Sequence, residues 1–153
     1  MPLSLRSATP ADATIITEFN RRLAWESEAK TLDTPTLLAG VTACLNDPAK
    51  GFYTVAELNG EIVGQTLITL EWSDWRNGWF WWIQSVYVRE DARGSGVFKA
   101  LFEHLKQAAT TDDEVIGLRL YVEAENAKAQ AVYKKLGMTE TGYGLLELFP
   151  LPV

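Results

Sequence analysis

The chain has 153 residues, with 14 Lys+Arg against 20 Asp+Glu, one His and one Cys, for a net charge of -6. That length fits one domain, expected to span residues 1–153, and a content of 47% hydrophobic and 22% charged residues is ordinary globular composition that excludes disorder. The negative balance opposes nucleic-acid and anionic-membrane partners, no apolar run reaches the ~18 residues of a bilayer span, and Met1 to Asp12 lacks a signal-peptide pattern. Cys44 alone cannot form an intrachain disulfide, so a reducing cytoplasm is the expected location.

In chain order, Leu3 to Ser7 reads as a short strand, and Thr9-Pro10 with Asp12 opens a helix. Ile15, Ile16, Phe19 and Leu23 form its apolar stripe, and it is expected to stop near Trp25. A second helix starts at Thr34-Pro35, carries Leu37, Leu38, Val41 and Leu45, and ends at Asn46-Asp47-Pro48. Gly51 to Leu58, Asn59-Gly60 and Glu61 to Trp72 predict a hairpin, because Asn-Gly supplies the two positive-φ residues of a type I′ turn. A turn over Ser73 to Gly78 leads into a strand from Trp79 to Val88, and Gly94 to Ala109 has helical spacing at Val97, Leu101, Leu105 and Ala108. Val115 to Val122 reads as a strand, Asn126 to Leu136 as a helix ended by Gly137, and Leu145 to Phe149 as a last short strand. The predicted order is β-α-α-β-β-β-α-β-α-β, an α/β (α+β) chain.

The strand residues Val86, Tyr87 and Val88 pass through Arg89-Glu90-Asp91-Ala92 into Arg93-Gly94-Ser95-Gly96-Val97-Phe98-Lys99, the start of a helix. The first turn of a helix offers N–H groups without intrahelical partners at the positive end of its dipole, and glycines let a phosphate approach the backbone. Arg93 and Lys99 add positive charge. The spacing of a Walker loop is absent, and a dinucleotide fingerprint is incomplete because position 99 is lysine.

Arg93-Gly94-Ser95-Gly96-Val97-Phe98 resembles the Arg/Gln-x-x-Gly-x-Gly/Ala signature of the GNAT superfamily of N-acetyltransferases, departing from it only where Phe98 replaces Gly or Ala. A second segment follows in the order that family needs: Asn126, Ala129, Tyr133 and Gly137 resemble its Asn-x-x-Ala-x-x-x-Tyr-x-x-x-Gly pattern. The resemblance runs from about Leu3 to Met138 and implies a mixed, mainly antiparallel central sheet flanked by helices. It implies acetyl-CoA as cosubstrate, with the amides of Arg93 to Lys99 on the pyrophosphate and Asn126 and Ala129 along the coenzyme. The strand at Val86, Tyr87 and Val88, splayed by a bulge, would pair with pantetheine and give an oxyanion N–H. Tyr133 would protonate the leaving thiolate, since a phenol with an ordinary pKa of about 10 is protonated at neutral pH.

An amine must lose its proton before it attacks the thioester carbonyl and forms the tetrahedral intermediate. Where many members of that family place a glutamate this chain has Gln84, which takes no proton, so Glu71 or Glu123 acting through a water is the expected base. His104, the only histidine, has no relay partner and is too little for a zinc site, so no metal is expected.

Glu71 to Trp82 holds five of the six tryptophans. Alternation places Phe80, Trp82 and Gln84 on one face and Trp79, Trp81 and Ser85 on the other. Aromatic faces such as Trp72 and Trp82 beside Glu71 and Asp74, with Glu26 and Glu28 between the first two helices, suit a small cationic amine as acceptor. The expected partners are that amine and, through the strand-rich surface, a second copy in a homodimer. Three rivals stand beside this reading: a protein or peptide N-acetyltransferase, a non-catalytic acyl-CoA sensor, and an aromatic-rich carbohydrate- or peptide-binding module.

Overall fold

The computed structural model describes residues 2–152. The chain divides into two compact units, one ending at Tyr121 and one beginning at Val122.

The first unit begins with β1 (Leu3–Ser7) and a single 3-10 turn, Pro10–Asp12, that feeds α1 (Ala13–Glu28). Thr9 and Asp12 close a capping box there, with the Asp12 carboxylate accepting from the Thr9 N–H at 2.8 Å. The helix runs three residues beyond Trp25, because Glu26, Ser27 and Glu28 contain no breaker. Ala29, left-handed at φ 52, ends it. Then come α2 (Thr34–Leu45), capped by Asp33, β2 (Phe52–Leu58), β3 (Glu61–Ser73) and β4 (Gly78–Val88). Asn59 and Gly60 have φ 56 and 79, as the hairpin signal requires. Next are α3 (Val97–Thr111) and β5 (Val115–Arg119).

The five strands lie in the order β1-β2-β3-β4-β5, antiparallel as far as β4, with β5 parallel to β4. Apolar residues fill both faces. On one, Ile16 and Val41 of the first two helices pack with Tyr53 and Val55; on the other, Val97 and Leu101 of α3 pack with Ala56 and Val63. Each such fully buried aliphatic side chain contributes about 1.5–3 kcal/mol of transfer free energy.

In the second unit α4 (Ala127–Lys135) is the regular element. The expected strand from Leu145 to Phe149 is corrected: these residues pair with no strand among the described residues. An extended apolar run is a strand only beside another strand, and this unit offers one helix. The strand expected from Val115 to Val122 likewise ends at Arg119, where its pairing with β4 ends.

Candidate functional site

The loop between β4 and α3 is built by backbone conformation. After a 3-10 turn at Glu90–Ala92, Arg93 is extended and Gly94 and Gly96 take φ 82 and 87. A Cβ at either glycine would meet nothing within 4 Å, so it is the left-handed backbone, and not lack of space, that calls for glycine. These two positive-φ residues flank Ser95 just before the N-terminus of a 15-residue helix, where N–H groups lack intrahelical partners and the dipole is positive. Ser95 Oγ donates to the Ala92 carbonyl and fixes the turn. Val97, 2% exposed, locks the helix start onto the sheet at Gly64, where a Cβ would come within 2.9 Å of Val97 Cγ1. Phe98 is half-buried, and Lys99 is exposed.

Arg93 does not project into open solvent unattended. Its Nε donates to the Val88 carbonyl at 2.9 Å, its Nη2 to Glu26 at 2.7 Å, and its guanidinium stands 5.5 Å from the Tyr87 ring centroid. Arg93 holds the Glu26 carboxyl below the usual range, while burial, and then the Glu26 carboxylate, push the Tyr87 phenol up. Glu26 is therefore joined to the loop, and Glu28 pairs with Lys30 at 3.4 Å on the surface.

The strand before the loop carries a bulge. Leu67 pairs with Ser85 and Ile68 with Ile83, which leaves Gln84 as the extra residue. The bulge thus lies at Gln84, short of the Val86 to Val88 segment where it was expected. β5 pairs with β4 only from Trp79 to Trp82, so from Ile83 to Val88 that edge of β4 has no ladder partner among the described residues. Ser85 Oγ lies buried there without a hydrogen-bond partner. A strand edge with no ladder partner among the described residues, leading to a helix N-terminus, matches an extended amide-bearing chain that ends in a phosphate.

The bulge also resets the faces. Alternation along β3 puts Thr69, paired with Trp82, and Glu71, paired with Phe80, on the face of Leu67 and Ser85. Ser85 therefore shares the face of Phe80 and Trp82, contrary to simple alternation, and Gln84 Nε2 donates to Thr69 Oγ1 at 2.8 Å. Glu71 is held on that face: Oε1 accepts from Trp82 Nε1 at 2.8 Å and from Arg119 Nη1 at 2.9 Å. Arg119 lies 3.5 Å over the Phe80 ring, and Trp82 stacks on Tyr121 at 4.5 Å. Trp72 is on the opposite face, edge-on to Trp79 at 5.0 Å, so the structure does not bring it to Glu71 and Trp82. Arg119 and Tyr121 were not among the expected site residues; their i, i+2 spacing at the end of β5 and just beyond it, beside an aromatic strand, was the available signal.

In the second unit, Asn126 caps α4, its Oδ1 accepting from the Ala129 N–H at 3.0 Å. Tyr133 is half-buried on that helix, and burial raises its phenol pKa above the ordinary value. Glu123 is exposed, with its carbonyl accepting from Gln130 Nε2 at 3.0 Å.

Among the described residues no group of three or more His, Cys, Asp or Glu is placed to hold a metal ion, and no helix is long and apolar enough to cross a membrane. The sequence matches the family model described as the Acetyltransferase (GNAT) family over residues 16–138. Among solved structures, a protein from Clostridium difficile 630 described as a possible acetyltransferase is 43% identical, with a TM-score of 0.95 over 99% of this chain and 100% of that one. An integron cassette protein from the Cole Harbour Salt Marsh metagenome is 24% identical, with a TM-score of 0.82 over 97% and 91% of the two chains. An aminoglycoside N-acetyltransferase solved with CoA is 16% identical, with a TM-score of 0.78 over 97% and 95%, a likeness of fold. No protein of curated function matches the chain.

Proposed function

The chain belongs to the GNAT family of acetyltransferases and is an acyltransferase, and from that premise we propose that it moves the acetyl group of acetyl-CoA onto the primary amine of a small, cationic acceptor. The observation that carries the reading is the free edge of β4 from Ile83 to Val88, which runs into the positive-φ cradle at Gly94 and Gly96.

On this reading the backbone of Val86, Tyr87 and Val88 pairs with pantetheine, and the amides from Arg93 to Lys99 hold the diphosphate. A backbone N–H on the β4 edge receives the oxyanion of the tetrahedral intermediate as the amine attacks the thioester. Asn126 and Ala129 border the coenzyme, and Tyr133 donates its proton to the departing thiolate. Burial, by raising the Tyr133 pKa, keeps that proton in place at neutral pH. The acceptor is oriented on the Trp82 face by Glu71, whose hydrogen bonds from Trp82 and Arg119 both fall on Oε1, so that among the described residues Oε2 is left to take the amine proton through a water. Gln84 and Glu28 stand as further acceptor contacts, while Trp72, on the opposite face of the sheet, is left out of the acceptor site. The Glu71 carboxylate at the edge of an indole and the net charge of -6 support a cationic amine. Exposed Trp72 and Trp75 support self-association through the strand-rich surface, and the lone Cys44 supports a reducing cytoplasm.

Gln84 gives a second reading its footing, because its amide, hydrogen-bonded to Thr69, occupies the bulge where a base could act. A coenzyme sensor with that residue would bind acetyl-CoA and release no thiol. The test is thiol release from acetyl-CoA with a panel of polyamines, amino acids and aminoglycosides. Acetyl transfer predicts release faster than hydrolysis with at least one amine, and a fall of about 10²-fold or more in Tyr133→Phe. Coenzyme binding with no amine-dependent release would leave the sensor.

A further inference from the structure

Arg93 has two hydrogen-bond partners, one neutral and one anionic. Nε is anchored on the Val88 carbonyl at 2.9 Å, which fixes the guanidinium at the end of β4, while Nη2 reaches Glu26 near the end of α1 at 2.7 Å. The ion pair is open to solvent, with side chains 45% and 36% exposed, and such pairs are weakly held and easily exchanged. Beside it a cleft of about 720 Å3 opens, lined by Arg22, Trp25, Glu26, Tyr87 and Arg89 among others, and gives the Glu26 side chain room to move. A diphosphate seated on the amides that follow Arg93 would bring more negative charge to the same guanidinium than one carboxylate does. It would also leave the Glu26 carboxylate facing a like charge.

We propose that Glu26 is a positioning residue that holds Arg93 in the free protein and yields it to the coenzyme diphosphate, so that coenzyme binding unties the last turn of α1. The proposal rests on the reading of the β4–α3 loop as the diphosphate site. It assigns Glu26 to the coenzyme side of the molecule, in place of the acceptor contact expected from its position between the first two helices.

The experiment is calorimetric titration of the wild type and Glu26→Gln at low ionic strength with two probes, coenzyme A and pantetheine, which lacks the diphosphate. Removing the competing carboxylate is expected to tighten coenzyme A binding about three- to tenfold, an advantage that shrinks as salt is added. Pantetheine binding stays as in the wild type. A purely structural Glu26 would weaken both ligands when neutralised, because the loop and the end of β4 would loosen together. Unchanged or weaker coenzyme A binding in Glu26→Gln, or an equal gain for pantetheine, overturns the proposal while the diphosphate site stands. A wild type that gives no heat with coenzyme A removes the diphosphate site and the proposal with it.

Discussion

Helix α1 is tied to the rest of the first unit at both ends by an arginine–carboxylate pair, and the two ties are built differently. At its start, Arg6 of β1 grips Asp12 with two bonds of 2.8 and 2.9 Å and reaches Glu57 of β2 at 2.6 Å. Asp12, with its side chain 9% exposed, also accepts the Thr9 N–H, so its oxygens are fully used in a partly dry site. At the other end Glu26 makes one hydrogen bond of 2.7 Å to Arg93 at the surface, with the Tyr87 phenol beside it. The same two chemical groups thus give a fixed anchor at one end of a helix and an exchangeable one at the other. The more exposed end is beside the loop between β4 and α3.

The comparison breaks first at Asp12. Replacing it by Asn keeps the shape and loses the charge-assisted bonds, and about 2 kcal/mol of stability should go with them, read from the shift of the urea midpoint. A loss no greater than that of a surface substitution would mean that the two ties are equivalent.

A smaller effect is the acid dependence of that anchor. Arg6, and then the Thr9 backbone, hold the Asp12 carboxyl below its ordinary value. Between its folded value and the ordinary value of about 3.9, the unfolded chain binds more protons than the folded one, so stability rises with pH there. The contribution is complete above about pH 5 and fades as pH falls through the folded value. The gap in stability between wild type and Asp12→Asn should therefore be flat from neutral pH to about 5 and narrow below about 4. A gap that widens in acid would reverse the sign of the argument.

How much of this was legible beforehand follows from the range of each interaction. The Asn59-Gly60 turn, the capping box and the glycines at 94 and 96 are local demands on φ, written in adjacent residues, and each was readable. The Leu3–Ser7 strand and the α3 stripe follow from periodicity for the same reason. The Gln84 bulge was out of reach, because it arises from the register of β4 against β3 and nothing in the residues 83–85 marks it. Missing it put Ser85 on the wrong face. The pairings of Glu71 with Arg119 and Glu26 with Arg93 span 48 and 67 residues, so only the fold could reveal that two expected acceptor-side carboxylates already have partners. The segment from Leu145 to Phe149 failed the other way: its apolar pattern is that of a strand, but a pattern does not supply a neighbour.

The smallest effect sharpens the comparison most. The last turn of α1 closes on its own backbone, with the Ala29 N–H donating to the Trp25 carbonyl at 3.0 Å and the Lys30 N–H to the Ala24 carbonyl at 3.2 Å. It does not need the Arg93 pair to stay helical. An exposed pair of long side chains is also screened and entropically costly to hold, so Glu26→Gln should move stability by less than about 0.5 kcal/mol in the same urea titration. Amide exchange should then show residues 26–29 opening far more readily than Ile16 to Asn20 in both proteins, since the latter segment is pinned by fully buried Ile16 and Phe19. If Glu26→Gln instead lowers the midpoint as far as Asp12→Asn does, both ends of the helix are structural anchors, and coenzyme could not untie either without unfolding the turn.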